Sequence, residues 1–292
     1  MKKILFKGCG TAISTPFDEN GVNLKEFEKL VNFQIENGAD AIIVCGTTGE
    51  SSTMTEEEKN ATISCAVKAS NGRVPIIAGT GGNNTMKVIE NSKKAEDLGV
   101  DGLLIVTPYY NKCTQKGLVE HYKIISQNTS LPIILYSVPS RTGVNILPET
   151  CLELSKIDNI VAIKEASGNL SQIAEIAHLC RDNLNIYSGN DDQILPILSL
   201  GGLGVISVLS NVKPRYTHEM VQNFFDGNID KATCMQLDAI PLIKALFSEV
   251  NPIPVKSALN HLGFDFGIPR LPLTKMSSDK EKILFKVLDE LN

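Results

Sequence analysis

Ala41-Ile42-Ile43-Val44-Cys45, followed at once by Gly46-Thr47-Thr48-Gly49-Glu50-Ser51, is the stretch whose reading decides the fold. The run from Ala41 to Val44 is apolar on both faces, as is Leu131–Leu135. A half-buried antiparallel strand would alternate, so these runs point to parallel strands covered on both sides by helices. Working outward, β-branched runs of the same kind begin near Thr11 (TAIST), Ala41 (AIIVC), Val74 (VPIIA), Gly102 (GLLIV), Pro132 (PIILY), Ile160 (IVAIK), Asn185 (NIYS) and Gly204 (GVISV). Each is followed by a turn cluster and a stretch of helical period. Their spacing suits a strand, a helix and two loops. Eight such units suggest an α/β protein built as a single (β/α)8 TIM barrel. A doubly wound open sheet is the competing architecture, although the first strand-to-helix turn lacks its G-x-G-x-x-G phosphate fingerprint.

Helix boundaries carry their own chemistry. Asn23 with Glu26, and Thr55 with Glu58, have capping-box spacing, Pro148 suits a first helical turn, and Gly38, Gly72 and Gly99 mark helix ends. After about Lys213 the strand signal stops. Segments 215–225, 230–250, 254–262 and 278–291 read as helices, which divides the chain into a barrel over 1–225 and a helical extension over 226–292. The short interval between the last two strands requires a short helix.

Composition narrows the function classes. The 292 residues carry 28 basic and 33 acidic side chains, a net charge of −5 that gives no general attraction to nucleic acid or an anionic membrane. Scaling surface with mass gives about 12,000 Å² for the folded chain, enough to enclose a large core. The cysteines at 9, 45, 65, 113, 151, 180 and 234 form no C-x-x-C pair and read as reduced, mostly buried thiols. The N-terminal MKKILFKGCG has too short an apolar stretch for a signal peptide, which leads us to expect a cytoplasmic protein. The uncharged run 193–212 has the length of a membrane span, but its proline and glycines fit helix, turn and strand better.

Barrels of this type place their chemistry where strands end. The sixth run, Ile160-Val161-Ala162-Ile163-Lys164-Glu165, ends an apolar strand on a lysine. Desolvation disfavours an ammonium, and a free amine there can attack a carbonyl to form a Schiff base. An ion pair with a carboxylate on the barrel rim is the competing reading. Tyr136, at the end of the fifth run, shares a pleat face with Ile134. It is either a packing residue or a proton shuttle for the amine. The glycines of 46–51 allow backbone amides to turn toward an anion such as a small carboxylate. Arg141, in Pro139-Ser140-Arg141-Thr142-Gly143, is placed either to hold a second carboxylate or to face solvent. Tyr109 and Tyr110 are adjacent and would point to opposite sides of an extended chain. Asp191-Asp192 precede a helix, whose N-terminal dipole explains them better than a metal does. His121, His178, His218 and His261 all fall in helical segments without paired spacing, so neither a zinc site nor a serine triad is supported, and no cofactor is expected.

Taken together, GTTGES at 46–51, TPYYN at 107–111, YSVPSRTG at 136–143 and KEASGN at 164–169 resemble the pyruvate-dependent class I aldolases in order and spacing, over nearly the whole chain. The resemblance implies that Lys164 condenses with the keto carbon of pyruvate and that Tyr136 moves protons beside it. Thr47 and Tyr110 would complete the relay, with Tyr110 supplied across a tight dimer in a dimer of dimers. It further implies that Thr47 and Thr48 hold pyruvate's carboxylate, that Arg141 takes the carboxylate of L-aspartate 4-semialdehyde, and that Gly189 and Ile206 lie near the bound substrate. N-Acetylneuraminate and 2-keto-3-deoxy sugar-acid aldolases share the barrel and the lysine, and the SRTG arginine favours the short amino-aldehyde over them. A catalytically silent pyruvate-binding regulatory barrel is the reading from another class, against which Lys164, Tyr136 and Thr47 stand intact. Ser137 and Asn169 depart from the commoner asparagine and aspartate. Ser51, Asn83 and Tyr109 match an effector pocket for lysine, flanked here by Glu56, Lys59 and Lys87. The ammonium of Lys87 would oppose that of the effector, so the expected lysine inhibition is weak or absent.

Overall fold

The computed structural model describes residues 2–291. Eight parallel strands close on themselves: β1 (Gly8–Ala12), β2 (Ala41–Val44), β3 (Ile76–Gly79), β4 (Gly102–Val106), β5 (Ile133–Ser137), β6 (Ile160–Glu165), β7 (Asn185–Ser188) and β8 (Gly204–Ser207). Around the ring each strand pairs with its neighbours in sequence, and β1 pairs with both β2 and β8, so the open-sheet alternative is excluded. The helices α1 (Leu24–Glu36), α2 (Glu56–Ser70), α3 (Thr85–Asp97), α4 (Gln115–Ser126), α5 (Pro148–Leu154), α6 (Leu170–Cys180), α7 (Ile194–Ser199) and α8 (Pro214–Phe225) alternate with them. Three more follow: α9 (Ile229–Leu246), α10 (Ile253–His261) and α11 (Ser278–Glu290). No helix among the described residues is long and apolar enough to cross a membrane. The run 193–212 is divided between α7 and β8.

Runs apolar on both faces serve two cores. On the inner face Ile43, Ile77, Leu104, Ile134, Ala162 and Ile206 fill the barrel, while the alternate residues Ile42, Ile76, Leu103, Ile133 and Ile163 pack outward beneath the helices. Phe6 plugs the amino-terminal end, stacked on Tyr187 with ring centroids 4.3 Å apart, and its carbonyl accepts from the Tyr187 hydroxyl at 2.6 Å. The opposite, carboxyl-terminal end stays free for chemistry. The accessible surface of 12291 Å² agrees with the mass-based expectation of about 12,000 Å².

Local signals behave as their chemistry requires. Thr55 and Glu58 form a reciprocal capping box, Asn23 accepts from the Glu26 amide at 3.1 Å, and Pro148 opens α5. The first strand differs from the sequence reading. It runs over Gly8–Ala12 rather than from Thr11, because Gly8, Cys9 and Gly10 carry little of the strand propensity that marks the other runs. A short antiparallel ribbon, Phe17–Asp18 with Gly21–Val22, follows it.

Closure of the ring depends on the seam where β1 meets β8. Gly204 pairs with Gly8 in register, adopts φ +154°, and a Cβ there would lie 1.9 Å from the Gly8 carbonyl oxygen. Gly204→Ala is expected to lower unfolding free energy by at least about 2 kcal/mol. The urea midpoint measures this, and an unchanged midpoint would contradict the seam as described.

Candidate active site

Lys164 and Tyr136 are register partners on adjacent strands β6 and β5, so the barrel itself, rather than a loop, sets their spacing. Both are inward-facing and buried, 5 % and 7 % exposed, and the Lys164 Nζ lies 4.4 Å from the centroid of the Tyr136 ring. They form the floor of a cavity of about 220 Å³ whose walls include Thr47, Thr48, Arg141, Gly189 and Asn251. This volume suits a small acid. A wider cavity of about 480 Å³ shares Thr47, Tyr136 and Arg141 with it and reaches Ser51, Tyr109 and Tyr110.

Gly189 makes room for the lysine. Its amide donates to the Glu165 carbonyl at 2.7 Å, and a Cβ at this position would lie 2.7 Å from the Ala166 Cβ and 3.1 Å from the Lys164 Cε. Any larger residue would push the amine-bearing chain out of line. Ile206 is fully buried in the barrel interior and does not line the cavity; Val208, just beyond β8, does.

The turn after β2 is tight and strained. Cys45 and Glu50 bracket it at φ 56° and 54°, a left-handed conformation that non-glycine residues adopt at a cost, and the Gly49 and Glu50 amides donate to the Gly46 and Thr47 carbonyls at 3.1 Å. Thr48 is buried and its hydroxyl accepts from Asn251 Nδ2 at 3.0 Å. Arg141 sits on the helical turn Pro139–Thr142, where its Nη2 donates to the Asn251 carbonyl at 3.3 Å. That turn is tied to the end of β4 because the Thr107 hydroxyl donates to Thr142 Oγ1 at 3.0 Å. Asn251 therefore touches both groups assigned to carboxylates.

Tyr110 departs from the extended-chain expectation. Its φ of 71° turns the backbone, and its side chain is 93 % exposed against 39 % for Tyr109. Asn83 donates to the Tyr109 carbonyl at 3.2 Å and accepts from Asn111 Nδ2 at 3.0 Å through its own carbonyl, interlocking the loops after β3 and β4. Ser51 and Tyr109 line the outer cavity, and Asn83 is joined to it through the Tyr109 carbonyl. Lys59 and Lys87 both pair with Glu56, at 3.1 and 3.8 Å, and Lys87 also reaches Glu90 at 3.2 Å.

Two buried carboxylates flank the lysine. Glu165 points out of the barrel, where burial pushes its carboxyl above the usual range while the Ser167 hydroxyl donates to it at 2.7 Å. Asp191 serves a segment other than its own helix. Its Oδ2 accepts from the Val208 and Leu209 amides at 3.1 and 2.9 Å, which holds the chain beyond β8, and burial raises its carboxyl as well. Among the described residues no three His, Cys, Asp or Glu side chains are grouped to hold a metal ion. Sequence reasoning missed Asn251, Asn190, Phe247 and Val208 as cavity residues. The one signal for Asn251 was a polar residue directly before the prolines that open α10.

A buried amine at the mouth of a (β/α)8 barrel, with a phenol beside it on the adjacent strand and a cavity sized for a small keto acid above, defines a lyase of the Schiff-base-forming class. The sequence profile of the Dihydrodipicolinate synthetase family matches residues 5–291, and the chain belongs to that family. It is 58 % identical over 285 residues to the 4-hydroxy-tetrahydrodipicolinate synthase of Caldicellulosiruptor saccharolyticus, covering 97 % of this chain and 96 % of the relative. The corresponding enzyme of Clostridium novyi is 53 % identical over 288 residues, covering 99 % and 97 %. Among solved structures, the dihydrodipicolinate synthase of Thermotoga maritima superposes with a TM-score of 0.96 at 46 % identity, covering 98 % of this chain and 99 % of that one.

Gly189→Ala is expected to leave the fold intact but slow enamine formation at least about tenfold, since displacements near 1 Å at a reacting centre cost that much or more. Exchange of the methyl protons of pyruvate in deuterium oxide, followed by NMR, reads this step directly. A wild-type exchange rate would contradict the role given to Gly189.

Proposed function

We propose that this chain condenses pyruvate with L-aspartate 4-semialdehyde to 4-hydroxy-tetrahydrodipicolinate, a step toward diaminopimelate and lysine. The observation that carries this reading is Lys164, held at the cavity floor beneath Tyr136 with Arg141 on the wall. Lys164 Nζ adds to the keto carbon of pyruvate, and the carbinolamine loses water to give an imine. Loss of a methyl proton yields the enamine, whose carbon attacks the aldehyde and turns its oxygen into a hydroxyl. The amino group of the former aldehyde then adds to the imine carbon and expels the Lys164 amine as the ring closes. Each stage moves a proton. Tyr136 is the donor and acceptor nearest the amine, with Thr47 and Tyr110 as the path outward.

Thr47 and Thr48 receive pyruvate's carboxylate at the glycine-bounded turn, and Arg141 receives the carboxylate of the semialdehyde as a bidentate donor. Gly189 lies on the wall beside the substrate, and Ile206 packs in the barrel core beneath it. Tyr110, almost wholly exposed in the single chain, gains a site role when a second copy packs against the outer cavity, which favours a homo-oligomer built as a dimer of dimers.

Purified protein is expected to consume pyruvate with aspartate 4-semialdehyde and not with N-acetylmannosamine or glyceraldehyde, and Lys164→Ala is expected to abolish turnover while keeping its circular dichroism. Turnover with a sugar aldehyde would move the assignment to a sugar-acid lyase, and no turnover with any aldehyde would favour a silent pyruvate-binding barrel.

A lysine effector would sit against Ser51 and Tyr109 with Asn83 beside them; Lys87 is taken up by Glu56 and Glu90, and the ammonium that lines this cavity and opposes the effector's own is that of Lys59. Millimolar lysine is expected to change turnover by less than about twofold. Strong inhibition in a lysine titration would overturn that charge argument.

A further inference from the structure

Glu50 closes the carboxylate-binding turn two residues after Thr48, and nothing in the reaction just proposed uses it. Its side chain and that of Lys256 on α10 are each 1 % exposed, with Nζ 2.7 Å from Glu50 Oε1. The second oxygen, Oε2, accepts from the Arg270 amide at 2.9 Å. Arg270 in turn donates through Nη1 to the Thr53 carbonyl at 3.1 Å and to Glu58 Oε2 at 2.7 Å, beyond the far end of the same turn. The ring of Phe17 lies against both cations, 4.2 Å from Lys256 Nζ and 4.1 Å from Arg270 Cζ.

A buried ion pair of this kind is a poor source of net stability, because desolvating two charges offsets most of their attraction and an apolar pair of equal volume does as well. What it supplies is direction. Glu50 is held at φ 54°, and a strained residue persists only where its surroundings over-determine it. The same short segment that carries Lys256 also carries Asn251, whose amide holds the Thr48 hydroxyl at 3.0 Å. Two tethers from one segment, reaching Thr48 and Glu50, fix both the middle and the end of the turn.

We propose that Glu50 and Lys256 are positioning residues, a clasp through which the C-terminal helices hold the Thr47–Thr48 turn in the geometry that receives pyruvate's carboxylate. This rests on the assignment of that turn to pyruvate and of Lys164 to the imine. Because the clasp acts on binding rather than on the amine, its loss raises the pyruvate concentration needed for imine formation and leaves the saturated extent unchanged.

The test is borohydride trapping of the pyruvate imine across a pyruvate titration, at a temperature where circular dichroism shows each variant folded. Two variants are compared with wild type: Glu50→Gln, and the neutral double variant Glu50→Gln with Lys256→Met, which leaves no buried charge unpaired. The half-saturating pyruvate concentration is expected to rise about tenfold or more in both, with the same trapped fraction at saturation. A folded double variant with wild-type half-saturation would overturn the clasp, and so would a double variant that cannot fold, which would assign the pair to stability. Wild-type protein that traps no pyruvate would bring down the pyruvate reading itself, and the clasp with it.

Discussion

One constraint governs the rest of the molecule: an amine must be kept among apolar side chains at the mouth of a closed barrel, with a phenol beside it and no bulk in front of it. The register of β5 against β6 meets the first part, since Tyr136 and Lys164 are direct neighbours on paired strands and cannot drift apart without breaking the ladder. Parallel strands covered on both faces are what keep the Lys164 side chain buried. Pairing of β7 with β6 sets Gly189 directly against the lysine, and Val208, beyond β8, comes next around the ring.

Around this fixed pair the loops are held in tight, braced turns. The turn after β2 accepts two left-handed non-glycine residues, and the turn after β5 presents Arg141 from a single helical turn. Both are braced by Asn251, which reaches Thr48 with its side chain and Arg141 with its carbonyl. Strain in the loops is thus balanced by contacts from the segment after β8, and the spacing of Thr48 and Arg141 is tied to one residue that belongs to neither loop. Asp191 does comparable work on the far side by holding the amides of Val208 and Leu209.

The barrel was legible because its evidence is local: eight apolar runs, each with a turn and a helical period behind it. The start of β1 was not, since glycine and cysteine carry no strand signal, and the pairing that makes Gly8–Ala12 a strand comes from β2 and β8. Lys164 could be singled out from the strand it ends, and Thr47, Tyr136 and Arg141 from their places just after apolar runs. Ile206, which only the resemblance implied, has its side chain in the barrel core, while Val208, which no local pattern marked, lies on the cavity wall. Lys256 and Asn251 were invisible as site residues. Their partners lie 206 and 203 positions away in sequence, and only the folded chain brings them together.

In the proposed reaction Lys164 Nζ bonds the keto carbon of pyruvate while the carboxylate rests on the Thr47–Thr48 turn. Crystals grown in pyruvate test it in one measurement. Continuous density is expected from Lys164 Nζ to the former keto carbon, with a carboxylate resting on that turn beside Tyr136. An unmodified Lys164 in a crystal saturated with pyruvate, or pyruvate bound away from the floor of the cavity, would contradict it.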